Sequence, residues 1–145
     1  MKIDGNGQAK ILNQNEIQLL FTEGLMTPRD RALFGILLYC GCRVSEALSL
    51  TTEDLRGGVV TLRKATTKGK MGTRSIPLHP DLKAFLEAYA PKPGVLFPGR
   101  HGRGRMTRAA ADLILKQACE RIGLVGVSTH SFRRTALTNC CGSQY

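Results

Sequence analysis

Apolar positions along this chain recur at helical spacing over most of its length, with one interval where the period changes. In "LNQNEIQLLF" the polar Asn13 precedes Ile17, Leu19, Leu20 and Phe21. Asn13 suits a helix N-cap, and Glu16, three residues on, suits the reciprocal half of a capping box. "TPRDRALFGILLYCG" predicts a second helix with Thr27 as cap, Pro28 at the first helical position, Asp30 near the positive dipole end and Gly41 as the stop. Its middle is apolar almost all round, which places it in the core. "CRVSEALSL" then predicts a short helix and "TTEDL" a capped turn.

The period changes at "GGVVTLRKATTKGKMGTRSIPL", which reads as two β-rich runs around a Gly- and Lys-rich turn. Pro77 puts an edge or a strand end there. Helical spacing returns in "PDLKAFLEAYA", and "PKPGVLFPGRHGRGR" is a Pro/Gly/Arg loop with little apolar content after Phe97. "MTRAAADLILKQACERIGL" predicts a long amphipathic helix capped by Thr107 and stopped by Gly123. "VSTHSFRRTALTN" predicts a last helix with Ser128 or Thr129 as cap. No internal repeat or low-complexity block interrupts this order. The expected architecture is mainly α with one small antiparallel β-sheet (α+β), a single unit over residues 11–139 with 1–10 and 140–145 as tails.

Composition narrows the class. A chain of 145 residues with 42% hydrophobic and 22% charged residues holds a real core and is not of the disordered type. The apolar run "ALFGILLYCGC" is too short for a membrane span, and "MKIDGNGQAK" has no secretory apolar region. The expected location is therefore cytoplasmic, with the five cysteines (Cys40, Cys42, Cys119, Cys140, Cys141) reduced. Their C-x-C and C-C spacings match no structural zinc pattern, and His79, His101 and His130 are scattered, so no metal site is expected.

The formal net charge of +10 adds a function class. Six Lys or Arg and no acid lie between Leu55 and Pro80, and five more, again without an acid, between Ala88 and Ala111. Together these hold over half of the 21 basic residues, a distribution that favours a polyanionic partner, nucleic acid before anionic membrane. No amphipathic helix is markedly cationic, which counts against the membrane.

Three basic constellations stand at element ends or turns. Arg43 follows "YCGC" at a helix–helix junction, Lys68 lies in the hairpin turn "TTKGKMGTR", and His130 and Arg133 share the first turn of the last helix at i, i+3. The free N–H groups of a helix N-terminus suit a phosphate. Two arginines, a lysine and a histidine around such a point would make a clamp for phosphoryl transfer, the guanidiniums neutralising equatorial oxygens and Lys or His handling protons. No Mg²⁺-type carboxylate cluster accompanies them, so the chemistry read from the residues is metal-free. Each residue has a plainer alternative: Arg43 pairing with Glu46 or capping the preceding helix, Lys68 solvated in its turn with Lys70 as rival, His130 capping a backbone.

"GCRVSEALSL", "TTKGKMGTRSIPL" and "THSFRRTALT" resemble, in order and spacing, three motifs of the tyrosine recombinases of the phage-integrase class. The resemblance runs from Ile11 to about Asn139, and it rests on Arg43, Ser45, Glu46 and Leu48, then Lys68 and Gly69, then His130 and Arg133. It implies an integrase-like catalytic core that acts on duplex DNA. In the family the two arginines hold the scissile phosphate, the lysine protonates the departing 5′ hydroxyl, the histidine assists proton transfer, and a tyrosine forms a 3′-phosphotyrosine bond without metal or other cofactor. The expected catalytic residues are thus Arg43, Lys68, His130 and Arg133, with Glu46 orienting Arg43 or supporting the fold. Lys70, Arg74, Arg100, Arg103, Arg105, Arg108 and Arg134 are the expected DNA-backbone contacts, which position a duplex without reading its bases.

The resemblance also implies further helices, a Gly-His or Gly-Trp motif and the tyrosine after His130 and Arg133. Tyr145 is the last residue, behind "CCGSQ", which is unlike the family's apolar continuation; Tyr39 falls in the apolar helix and Tyr89 ends an earlier one. The expectation is a catalytic domain cut short before its nucleophile, without an N-terminal arm-like domain, with Tyr145 not the nucleophile. Such a chain would bind DNA without completing recombination, and would self-associate or pair with another recombinase protomer through exposed apolar surface. The alternative is a noncatalytic DNA-binding or decoy protein derived from a recombinase.

Overall fold

The computed structural model describes residues 10–65, 71–99 and 104–142. Lys68, Lys70, Arg100, Arg103 and Tyr145 lie outside the described residues.

The first helix, α1 (Gln14–Leu19), begins with the expected reciprocal box: the Glu16 N–H donates to the Asn13 side chain at 2.8 Å and the Asn13 N–H to Glu16 Oε1 at 2.9 Å. It runs on into a π-helical turn, Leu20–Gly24. That turn brings the Gly24 carbonyl to the Arg121 guanidinium, which donates to it from a helix late in the chain. Helix α2 (Pro28–Cys40) is capped by Thr27, carries Pro28 in its first turn and ends at Gly41 with φ 67°. Its residues from Ala32 to Leu38 are all buried, so it is the central rod of the core. Helix α3 (Val44–Leu48) follows after a turn of three residues, Gly41 to Arg43, and a 3₁₀ segment (Thr52–Gly58) leads to the sheet.

Strands β1 (Val59–Ala65) and β2 (Met71–Pro77) pair antiparallel with Val60 opposite Ile76 and Leu62 opposite Arg74. Directly opposed residues share a face. Val60 and Leu62 are buried, so the face that also carries Arg74 and Ile76 turns toward the helices. Helix α4 (Pro80–Tyr89) packs along α2. The loop after it is anchored by its apolar half: Leu96 and Phe97 are fully buried, and Tyr89 stacks on Phe97 while its hydroxyl donates to the Leu96 carbonyl at 2.7 Å.

Helix α5 (Arg108–Ile122) is capped by Thr107 and stopped by Gly123, as its sequence predicts. Helix α6 (Thr129–Gly142) starts after Ser128, whose Oγ accepts the His130 N–H at 3.2 Å, so Ser128 is the cap and Thr129 the first helical residue. The protein is thus mainly α with one small two-stranded antiparallel sheet. No helix among the described residues is long and apolar enough to cross a membrane.

Candidate phosphate-binding site

Three helix starts, those of α3, α5 and α6, line the site. Arg43 stands between α2 and α3, and its outward course is set by its neighbours. Gly41 takes the left-handed conformation that reverses the chain, Cys42 and Val44 are buried on either side, and Arg43 itself is exposed. The Glu46 carboxylate reaches back to accept the Arg43 N–H at 2.8 Å, fixing the entry to α3.

Opposite it, α6 divides its residues by the helical period. Ser131, Phe132 and Thr135 are fully buried. Phe132 lies between Phe34 and Phe21, with ring centroids at 5.2 Å and 6.4 Å. Thr135 Oγ1 accepts the Leu12 N–H at 2.8 Å, and Ser131 Oγ the Ser128 N–H at 3.0 Å. With that face committed to the core, His130 and Arg133, three residues apart, are left on the other side.

The result is a cleft of about 310 Å³ lined by Cys42, Arg43, Val44, Ser45, Arg108, Thr129, His130 and Arg133. Arg43, His130 and Arg133 are the described members of the expected catalytic set, and they meet here. The N-terminus of α6 opens into the same cleft through Thr129 and His130, adding its positive dipole end. Three guanidiniums and an imidazole around one hollow suit a tetrahedral oxyanion.

A family model for the phage integrase family matches residues 10–145. The chain belongs to the phage integrase family. Tyrosine recombinase XerC of Rhodospirillum centenum is 29% identical over 149 residues, covering 90% of this chain and 42% of that protein. Among solved structures, XerA recombinase superposes with a TM-score of 0.78 at 20% identity, over 93% of this chain and 52% of that one. XerH site-specific recombinase bound to its difH substrate superposes with a TM-score of 0.68 at 20% identity, over 97% of this chain and 49% of that one. The chain therefore spans about half the length of these proteins or less. The two structural likenesses carry the fold, which is that of the recombinase catalytic domain.

The remaining described members of the expected set divide between this cleft and other surfaces. Arg108, expected among the peripheral backbone contacts, is in the wall of the cleft itself. A signal for it was present in the sequence: a cation at the first position of a helix opposes the macrodipole, so an arginine there stands out. Arg105 lines a separate groove with Arg29, Pro98 and Met106. Arg74 lies beside α3, its Nη1 3.7 Å from Glu46 Oε2. Arg134 is half-buried on α6 and is not among the residues lining the cleft.

Tyr39 and Tyr89 are both engaged away from the cleft. Tyr39 stacks on His79 at 4.3 Å and donates to Asp81 Oδ2 at 3.2 Å, and Tyr89 is held by Leu96 and Phe97. Burial pushes the Cys40 thiol up to about 12 and the Cys42 thiol above the ordinary thiol range; the nearby Arg74 charge offsets only part of this. Cys40, Cys42 and Cys119 are all free thiols.

Proposed function

We propose that this chain is a DNA-binding catalytic core of a site-specific tyrosine recombinase, whose cleft clamps one phosphodiester of a duplex. The observation that carries this reading is the convergence of Arg43 with His130 and Arg133, brought together from two ends of the chain in one hollow. Arg43 and Arg133 neutralise the non-bridging oxygens, and the α6 N-terminus adds N–H donors. Where a tyrosine hydroxyl is supplied to attack the phosphorus, His130 takes up or returns its proton as the P–O bond to the tyrosine forms and the bond to the 5′ oxygen breaks. Lys68, by its place in the family motif, protonates the leaving 5′ hydroxyl.

The same reading makes the chain a binder that does not cleave DNA by itself. Tyr39 and Tyr89 are built into the fold, and no tyrosine among the described residues lines the cleft. The test is fluorescence anisotropy with a labelled duplex, titrated with salt. Affinity should fall steeply, with a log–log slope near −0.9 for each phosphate neutralised, and R43A and R133A should each weaken binding on the order of tenfold. A flat salt plot, or both variants matching the parent, removes the clamp. A nicked suicide duplex then separates the two readings: a covalent protein–DNA adduct means that the chain, or a second copy, supplies a nucleophile. Its absence supports a noncatalytic or decoy role.

A further inference from the structure

Glu46 uses its two carboxylate oxygens differently. Oε1 accepts the Arg43 N–H. Oε2 is buried and accepts no hydrogen bond among the described residues, and the side chain as a whole is only 10% exposed. A buried carboxylate oxygen without a donor is costly unless a charge compensates it. The compensating charge is the guanidinium of Arg74, with Nη1 at 3.7 Å, beyond direct hydrogen-bond reach but within ion-pair range.

Arg74 is directed there by the sheet. It pairs opposite Leu62, whose side chain is in the core, so Arg74 shares the helix-facing side of the ribbon. Consistent with that placement, the Arg74 charge opposes part of the rise that burial gives the Cys40 and Cys42 thiols on either side of Gly41. The junction that aims Arg43 and the ribbon whose turn carries Lys68 in the sequence are therefore joined through one carboxylate.

We infer that Arg74 is a positioning residue, which through Glu46 fixes the β1–β2 ribbon against the Arg43 junction. This role rests on the proposed reading of the cleft, and it differs from direct contact between Arg74 and a DNA phosphate. Glu46 holds two parts of the site in register: Arg43 through its backbone, and the ribbon through Arg74.

The two roles separate with R74A, R74K, E46Q and the double variant R74A/E46Q. Glu46→Gln retains an acceptor for the Arg43 N–H and removes only the charge facing Arg74. Amide exchange over residues 59–77 is measured first, without DNA. The tether predicts faster exchange in R74A and in E46Q by similar factors, no further increase in the double variant, and recovery in R74K. With a labelled duplex it predicts that R74A and E46Q both weaken binding, by about three- to tenfold, with an unchanged salt slope.

Direct phosphate contact predicts the reverse pattern: R74A lowers the slope by about one unit, and E46Q, having lost a negative charge, binds more tightly. That pattern, or ribbon exchange unchanged in R74A and E46Q, overturns the inference. If the parent protein itself fails to bind duplex, the reading of the cleft falls, while the exchange data still decide whether Arg74 holds the ribbon. R74K keeps the charge and so keeps the test usable if R74A unfolds.

Discussion

Phe132 rests on Phe34 with ring centroids 5.2 Å apart and planes tilted by 35°, both side chains fully buried. This contact between α6 and α2 sets the rotation of α6, and with it the direction of His130 and Arg133. Phe132→Ala should destabilise the fold by about 3–5 kcal/mol, and Phe132→Leu by less, because the smaller change leaves less cavity. Urea unfolding checks this. A loss below about 1 kcal/mol for Phe132→Ala would mean that α6 is held mainly elsewhere.

Arg108 shares a cleft with Arg43, whereas Arg105 lines a different groove. Arg108→Ala should lower duplex affinity and reduce the salt slope by about one unit. Its effect should also be non-additive with Arg43→Ala, since both line one cleft. Arg105→Ala should combine additively with Arg43→Ala. Equal, additive effects from both arginines would return Arg108 to the general basic surface.

Gly41 has φ 67°, and a Cβ added there would meet the Ala136 Cβ of α6 at 3.3 Å. Gly41→Ala should cost about 1–2 kcal/mol from the left-handed backbone alone, with the close approach of α6 adding to it. Because this turn aims Arg43, duplex affinity should fall under conditions where the variant remains folded. Full affinity together with lowered stability would show that the clamp tolerates movement of the junction.

The thiols make an alkaline prediction. Burial pushes Cys119 up to about 11 and Cys40 to about 12, so the folded chain keeps protons that the unfolded chain releases near the ordinary thiol value. Their contribution to stability is complete below about pH 8.5 and is lost as pH rises toward 11–12, at up to about 1.4 kcal/mol per pH unit for each thiol. Urea midpoints from pH 7 to 10 should be flat and then fall. At pH 8 iodoacetamide should label Cys40, Cys42 and Cys119 far more slowly in the native protein than in urea, as peptide mass mapping would report. Rapid native labelling at Cys42 would contradict its burial.

Much of the fold was legible because its signals are local. Asn13 with Glu16, Thr27 with Pro28 and Gly41, and Thr107 with Gly123 are caps and stops that depend on a few neighbouring residues, and each appears where the sequence puts it. The π-helical turn at Leu20–Gly24 was not legible. Arg121 donates to the Gly24 carbonyl, and a Cβ at Gly24 would come within 3.1 Å of the Ala118 carbonyl oxygen, so its surroundings are distant in sequence. The site divides in the same way. Arg43, His130 and Arg133 carry motif spacing, but the placement of Arg108 depends on how α5 meets α3. The pairing of Arg74 with Glu46 depends on strand register, and neither relationship leaves a local pattern.

The division of the cleft between two distant segments also has a consequence in time. Arg43 belongs to the first third of the chain and His130 with Arg133 to its last part, so the contact of α2 with α6 that completes the cleft closes a long loop. Long loops close late because their entropy must be offset before the contact forms. The basic charge of the chain is present whether or not it is folded, whereas the cleft is a property of the closed fold alone. The cleft exists only once that long-range contact has formed. An oxyanion seated in the finished cleft would draw the folding equilibrium toward the native state.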